Sequence, residues 1–368
     1  MSTKRKANIE LLRIVSMILI LLHHYVAHGG LVDIDLISQN KFIGEFLYIG
    51  GKLGVVIFVL ITGYFMVNSR FRIRKLIKIY LEVLFYSFVI YIILLLSNKV
   101  EFSITNFVKS LLPISYSQYW FATCYIGLYI FSPFLNKLIK HLDKNQHNTL
   151  ILVGTITLVI IPTFTPQGDS FYSEMLYFMY LYILAAYLKK YGINFINTKS
   201  RCILLIVSML IVIMTVSVMS TFLAQYFSIF KKGIKYLHES NSIPILLLAL
   251  SIFELFRKMD LKENKLIFTL AKTSFSVYLI HDNANFKKVL WHDLFKTNEY
   301  FYANIINLLI HIVSTVVIIY VLCTIIELIR EKIFEGTIYK IKINKIEKML
   351  NYIDKRMNKV IDSENINC

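Results

Sequence analysis

The sequence lacks the short motifs by which many soluble enzymes hold phosphates, metals or nucleophiles. It has no glycine-rich phosphate loop, no zinc-ligand pattern and no serine nucleophile elbow. ATP-driven transport and metal-dependent hydrolysis therefore have no support in the sequence. The four cysteines, Cys124, Cys202, Cys323 and Cys368, are scattered without the spacing of a metal or redox site.

Acidic residues are also few, and long stretches carry no charge at all. The chain has 368 residues, 57% of them hydrophobic, and a mean hydropathy of +0.61. Uncharged runs of this length predict an all-α integral membrane protein. Lys and Arg outnumber Asp and Glu by 40 to 23, which gives a net charge of +17. Because the positive residues flank the apolar runs, we attribute them to membrane orientation and anionic lipids rather than to nucleic acid.

The apolar runs predict about ten transmembrane helices within a membrane domain at residues 1–330. Three of the runs are short for a full crossing. The predicted spans are Ile9–Ala27, Gly50–Met66, Leu76–Leu96, Trp120–Ile139, Leu150–Thr163, Tyr172–Leu188, Cys202–Phe222, Ile243–Phe256, Leu266–Ile280 and Ala303–Leu328.

Loop charge predicts that both termini are cytoplasmic. The residues before the first span and each even-numbered loop are rich in Lys and Arg, as cytoplasmic loops are. One loop on the predicted outer side, with Lys231, Lys232 and Lys235, breaks this pattern. It is either a local exception or a contact for an anionic glycan. Residues 331–368 are predicted to form a basic amphipathic tail, either on the inner leaflet or as a solvated or partner-bound helix.

The first span carries ionisable residues at both of its ends. Arg13 and His24 are separated by close to three helical turns, so they lie within about 20° of one another and about 16 Å apart along the axis. Glu10 and His28 join the same face, whereas His23 points away from His24. Such residues are costly within a membrane and are by default a functional hypothesis. The alternative is that Arg13 reaches the inner interface and the histidines lie among outer headgroups.

These residue types suit acyl transfer to a hydroxyl. A neutral histidine can remove the hydroxyl proton as attack proceeds, or it can carry the acyl group itself. A nearby cation can stabilise the oxyanion or hold a phosphate. His281 ends the ninth predicted span on the same side as His24, where it either lines the acceptor entrance or lies at the interface. No metal is expected.

Four stretches, in this order, resemble the membrane acyltransferase-3 family. They are Arg13 with His24 after an acid at Glu10, the run Gly54–Phe65, the run from Tyr119-Trp120-Phe121 to Ser132-Pro133-Phe134-Leu135, and Thr273-Ser274-Phe275-Ser276-Val277-Tyr278-Leu279-Ile280-His281. The resemblance implies a multi-pass protein of the bacterial plasma membrane with acetyl-CoA as donor and a cell-envelope carbohydrate as acceptor. It implies that Arg13 and His24 are essential and that Glu10 is a partner of one of them.

The family also has a paired-arginine motif before its third span. The nearest match here is Arg74-Lys75-Leu-Ile-Lys78, and lysine at the paired positions keeps the charge but loses the forked geometry of arginine. Arg72 and Arg74 can substitute for the pair. These four basic residues, Arg72, Arg74, Lys75 and Lys78, are therefore candidates for binding the CoA phosphates. The alternatives are a plain cytoplasmic anchor for this loop and, for the whole protein, a non-enzymatic transporter of a lipid-linked glycan or carbohydrate.

Overall fold

The protein is a bundle of helices, seen here in a computed structural model that describes residues 6–33, 37–165, 173–336 and 344–362. Helix accounts for 82% of it, and the described residues form no β-strand. The predicted all-α fold is therefore confirmed. The α-helices are α1 (Ala7–Gly29), α2 (Gln39–Met66), α3 (Ile73–Leu96), α4 (Ile104–Leu111), α5 (Trp120–His141), α6 (Lys144–Thr155), α7 (Ile161–Phe164), α8 (Glu174–Tyr191), α9 (Lys199–Leu223), α10 (Ile243–Arg257), α11 (Lys265–His281), α12 (Ile305–Gly336) and α13 (Asn344–Asp362).

Helices α1 and α2 form a closely packed antiparallel pair at the centre of the bundle. A Cβ atom on Gly50 would lie 2.5 Å from the Leu19 carbonyl oxygen, and one on Gly54 would lie 2.6 Å from that of Ser16. Only glycine permits this approach of two backbones. The remaining helices pack around the pair, with α8 and α10 against α2 and with α11 and α12 against α1.

The bundle has two chemically different ends. The histidine end contains the last turn of α1, the first turns of α2 and the last turn of α11. The basic end contains the first turn of α1, the last turn of α2 and the start of α3. At the basic end the Asn8 amide donates to the carbonyl oxygens of Phe256, Arg257 and Met259, at 2.9, 3.2 and 3.0 Å, and so ties α1 to the end of α10.

Each of the ten predicted spans coincides with helical residues, but the boundaries differ. Helix α2 begins at Gln39 rather than Gly50, because buried polar groups that hydropathy excludes continue the helix. Asn40, for example, donates to the carbonyl oxygens of Phe301 (2.9 Å) and Ala303 (2.8 Å). The fifth predicted span lies in one long helix from α6 to α7, joined by a π-helical turn at Ile156–Ile160.

Seven of these helical stretches are long and apolar enough to cross a membrane. The three that fall short of this test are α5, α8 and α11, so the count of ten crossings stays a prediction. The seven stretches are Ala7–Gly29, Gln39–Met66, Ile73–Leu96, Lys144–Phe164, Lys199–Leu223, Ser228–Arg257 and Ile305–Phe334.

Helix α13, which the tail pattern predicted, docks on the start of α3 at the basic end. Asp354 accepts from the backbone N–H of Ile73 at 2.6 Å, and Asn358 bonds to both backbone polar groups of Phe71, each at 2.9 Å. Ile353 and Met357 pack against the bundle core. The apolar face of this helix thus contacts the protein's own chain.

Candidate active site at the histidine end

The last turns of α1 and α11 bring two histidines into direct contact. His24 Nδ1 lies 2.8 Å from His281 Nε2, and His281 Nδ1 lies 2.6 Å from the carbonyl oxygen of Val277. The sequence placed both histidines on one side of the membrane without indicating that they touch. The structure joins them across 257 positions of the chain.

These two contacts determine where the ring hydrogens lie. A carbonyl oxygen only accepts, so His281 Nδ1 must carry a hydrogen, and in a neutral ring its Nε2 then accepts. His24 therefore donates from Nδ1, which leaves a lone pair on its Nε2. No protein group among the described residues bonds to that Nε2. His24 is thus held in the form of a base.

His24 opens onto a cavity of about 140 Å³ between α1, α2, α5 and α11. A water molecule needs about 10–15 Å³ by this measure, so the cavity holds several waters or a small acyl group. Its walls are mostly aromatic and aliphatic, with Lys52 and Asp282 as the charged groups other than histidine. The lining residues are Met17, Ile20, His23, His24, Gly51, Lys52, Val55, Phe58, Trp120, Phe121, Phe275, Tyr278 and Asp282.

His23 lines the same cavity, which corrects the expectation that it points away from His24. The two ring centroids are 5.5 Å apart, and His23 Nδ1 lies 2.7 Å from the Tyr48 carbonyl oxygen. By the same reasoning its Nε2 also keeps a lone pair. The side chains of neighbouring residues on a helix point about 100° apart, but both can line a cavity that lies between α1 and its partner helices. His23 is therefore a rival base.

His28 and Asp282 form a hydrogen-bonded pair beside His24. His28 Nε2 lies 3.1 Å from Asp282 Oδ1, and His24 Nδ1 lies 4.0 Å from the same oxygen. Ligand atoms of these three side chains lie within 4.8 Å of one another, close enough to hold a metal ion. Hydrogen bonds within the protein already account for their arrangement, and the expectation of no metal stays a prediction.

Arg13 and Glu10 pair with each other toward the basic end, away from the cavity. Arg13 Nη1 lies 2.8 Å from Glu10 Oε2, and the Glu10 side chain is only 2% exposed. The predicted partnership of Glu10 is thus with Arg13. Because α1 is continuous between them, Arg13 and His24 remain about 16 Å apart along the axis. The structure does not bring them into one pocket.

The predicted donor-binding residues lie together at the start of α3, where most of them contact other parts of the chain. Arg74 pairs with Glu347 of α13 at 2.9 Å, and Lys78 pairs with Glu331 of α12 at 3.6 Å. Lys75 lies over the Tyr129 ring, and Arg72 immediately precedes the helix. These side chains connect helices at the basic end as well as supplying charge.

The basic end contains a cavity of its own, which the sequence did not predict as a site. Its volume is about 580 Å³, and four basic residues against one acid give its lining a net charge of +3. Three of the basic residues belong to α5 and α8 and one to the loop after α2. The charged lining residues are Arg70, Lys140, Lys189, Lys190 and Asp362.

A buried ionic network between α3, α11 and α12 was also missed. Both oxygens of Glu327 accept from Arg330 at 2.7 Å, and Glu82 lies 3.9 Å from the same guanidinium. Ser276 donates to Glu82 at 2.6 Å, and Tyr86 donates to Glu327 at 2.7 Å. The signal in the sequence was the presence of Glu82 and Glu327 inside apolar runs, which indicates buried partners.

The whole bundle up to α12 matches one known protein family. The acyltransferase-3 family model, described as an acyltransferase domain, matches residues 6–327. The chain belongs to the acyltransferase-3 family. It is therefore a multi-pass membrane acyltransferase, as the four sequence stretches predicted. Comparison with curated proteins and with solved structures finds no match. Helix α13 lies outside the matched residues.

Proposed function

We propose that this acyltransferase-3 protein transfers an acetyl group from acetyl-CoA to a hydroxyl of a cell-surface or capsular polysaccharide, or of its lipid-linked precursor. The observation that carries the proposal is the His24 ring, whose Nδ1 hydrogen is held by His281 while its Nε2 is left free beside a cavity. A base in this state is ready to take a hydroxyl proton at neutral pH.

The reaction balances without any further reactant. As the acceptor oxygen attacks the thioester carbonyl, His24 Nε2 takes the hydroxyl proton and a C–O bond forms. Lys52, which lines the cavity, supplies positive charge for the oxyanion. The C–S bond then breaks, and the imidazolium returns the proton to the CoA sulfur. In this scheme His281 is a positioning residue, although the sequence suggested it as a substrate-binding one.

The two chemically different ends of the bundle suit acetyl-CoA, a long donor whose charged nucleotide lies far from its thioester. The basic end offers the predicted residues Arg72, Arg74, Lys75 and Lys78 and the 580 Å³ cavity with its net charge of +3. Phosphates bind readily to such clusters of arginine and lysine. The family match extends over both ends, and Glu10 with Arg13 lies toward the basic end.

We infer that the chain crosses the bacterial plasma membrane ten times with both termini in the cytoplasm, because even-numbered loops are basic. In this arrangement α5, α8 and α11 also cross, the basic end faces the cytoplasm and the histidine end faces outward. Reporter fusions at Arg72, at Lys190 and after Arg330 should read cytoplasmic, and fusions at Asp33 and Lys287 external. An external C-terminus would contradict the count of ten.

The test of function is donor dependence. Membranes carrying the full chain are given radiolabelled acetyl-CoA and host envelope glycan whose hydroxyls have been freed by mild alkali. We expect label in the glycan that a second alkali treatment releases, since acetyl esters are base-labile and acetyl amides are not. Glycan movement without any need for acetyl-CoA would instead favour the non-enzymatic transporter.

A further inference from the structure

Two histidines one turn apart on α1 meet an aspartate at the end of α11. His24 and His28 are four positions apart, so their side chains lie on the same helix face. Asp282 directly follows α11, and its Oδ1 lies 3.1 Å from His28 Nε2 and 4.0 Å from His24 Nδ1. The sequence did not indicate this set of three, because 254 positions separate His28 from Asp282.

The separations of the three atoms are close to those around a tetrahedral zinc ion. With bonds of about 2.0–2.1 Å, two ligand atoms of such an ion lie about 3.4 Å apart. Two of the observed separations are 3.1 and 4.0 Å, and all three are within 4.8 Å. Small side-chain rotations therefore bring the three atoms to a common ion, whose fourth position stays open to water.

The surroundings of the three side chains favour a cation and leave it a way in. Asp282 supplies a carboxylate, and α1 and α11 both end here with the negative ends of their dipoles. Lys52 in the cavity wall and Lys287, which acts on His24, oppose a cation and limit its affinity. The side chains of His24, His28 and Asp282 are 14, 24 and 13% exposed, so an ion can reach them from solution.

The ligand types select zinc over the common alkaline-earth ions. Imidazole nitrogens suit zinc and its neighbouring transition metals, whereas Mg²⁺ and Ca²⁺ take six or more ligands that are mostly oxygen. Two histidines, one carboxylate and an open fourth position form a set that zinc accepts. Mg²⁺ is therefore a suitable control ion.

We propose that His24, His28 and Asp282 bind Zn²⁺, and that the ion inhibits acyl transfer by removing His24 from its basic form. A neutral imidazole carries one nitrogen-bound hydrogen. When His24 Nδ1 binds the ion through its lone pair, that hydrogen moves to Nε2, which then cannot accept the proton of a hydroxyl. The ion thus competes with His281, whose Nε2 lies 2.8 Å from the same Nδ1.

Binding of the ion does not depend on the proposed function, whereas its effect on acyl transfer does. The ion is an inhibitor and not a cofactor, so the expectation that transfer needs no metal is unchanged. His28 is not among the residues that line the active-site cavity. Its replacement therefore removes a metal ligand and leaves His24 and its orienting partner His281 in place.

The first test measures binding by calorimetric titration of ZnCl2 into the purified full chain in detergent. We expect wild-type protein to show a saturable site for one ion. Groups that only orient metal ligands contribute about 10–100-fold to affinity, so loss of a direct ligand in His28→Gln should weaken binding at least about 100-fold. The control His141→Gln removes an exposed histidine at the basic end and should bind zinc as wild type does. Equal zinc binding by wild type and His28→Gln would overturn the site.

The second test measures acetyl transfer with and without saturating zinc. Wild-type kcat should fall about 100-fold or more, as for loss of a general base, and EDTA should restore it. His28→Gln should transfer at its zinc-free rate, and MgCl2 should change neither protein. Full wild-type activity with the zinc site occupied, or loss of activity on adding EDTA alone, would overturn the inhibition. Failure of wild-type protein to acetylate any acceptor would overturn the proposed function, while the titration would still decide the zinc site.

Discussion

The two ends of the bundle handle buried polar groups in opposite ways. At the histidine end, His24 and His281 satisfy one another through neutral hydrogen bonds and leave one nitrogen of His24 free. At the basic end and in the network behind it, Arg13 pairs with Glu10 and Arg330 with Glu327. Charges that pair in this way neutralise one another within a helix, whereas an unpaired lone pair beside a cavity is available for chemistry.

The largest effect should come from removing the free base. His24→Ala is expected to lower acetyl transfer about a thousandfold, within the range for loss of a general base, while expression and insertion persist. The measurement is initial-rate transfer of labelled acetyl in membranes with matched protein levels. His23→Ala is the paired variant and should be milder, since only His24 is oriented by a second histidine. The reverse ranking would make His23 the base.

Breaking the ionic network should affect stability rather than chemistry. Arg330→Gln leaves Glu82 and Glu327 without their cation in a buried site, which costs about 3–5 kcal/mol. We expect a clearly lower Tm of the purified protein in detergent. Arg74→Gln is the matched change, because its pair with Glu347 is exposed, and it should cost about 0–1 kcal/mol. Equal losses of Tm in the two variants would mean that the buried Arg330 pairing contributes no more to stability than the exposed Arg74 pair.

The contact between His24 and His281 predicts an intermediate loss of catalytic rate when His281 is replaced. His281→Phe keeps a ring in the space but removes the acceptor for His24 Nδ1, and kcat should fall about 10–100-fold with KM unchanged, as for other residues that orient a reactive histidine. His281→Gln retains an acceptor and should recover part of the rate. A rise in KM for the acceptor with kcat preserved would instead assign His281 to substrate binding.

The smallest effect should follow from crowding the cavity wall. A Cβ on Gly51 would lie 2.3 Å from the His23 ring, so Gly51→Ala must displace that ring at a cost of about 1–3 kcal/mol. We expect a loss of acetyl transfer of about tenfold. In Gly127→Ala the new methyl meets only the flexible end of Met175, at 3.0 Å, and activity should stay near wild type. Unchanged activity in Gly51→Ala would show that the position of His23 is not critical.

The helical fold could be predicted because, in a membrane protein, long apolar runs by themselves indicate membrane-spanning α-helices. Each predicted span falls on a stretch whose described residues are mostly helical. The start of α2 was wrong because Asn40 and Glu45 are polar yet buried, and a hydropathy pattern does not reveal their partners. Partners of this kind lie far along the chain, as Phe301 does for Asn40.

The candidate site could be predicted only one helix at a time. The spacing on α1 predicted that Glu10, Arg13 and His24 share one helix face, but it did not show that His24 meets His281 or that His23 shares the cavity. Such facts depend on which helices are neighbours. The cavity at the basic end and the network around Arg330 were missed for the same reason, since each is assembled from three or more helices.

The docking of α13 has a consequence for the order in which the protein is made. Asp354 caps the start of α3 from 281 positions later in the chain. At roughly 5–20 residues per second, the ribosome needs roughly 14–56 s to synthesise that interval. During this time α3 is already made while the backbone N–H of Ile73 still lacks its Asp354 partner. The basic end therefore reaches its final form only after α13 has been made, and a nascent chain that stops before α13 leaves the start of α3 uncapped.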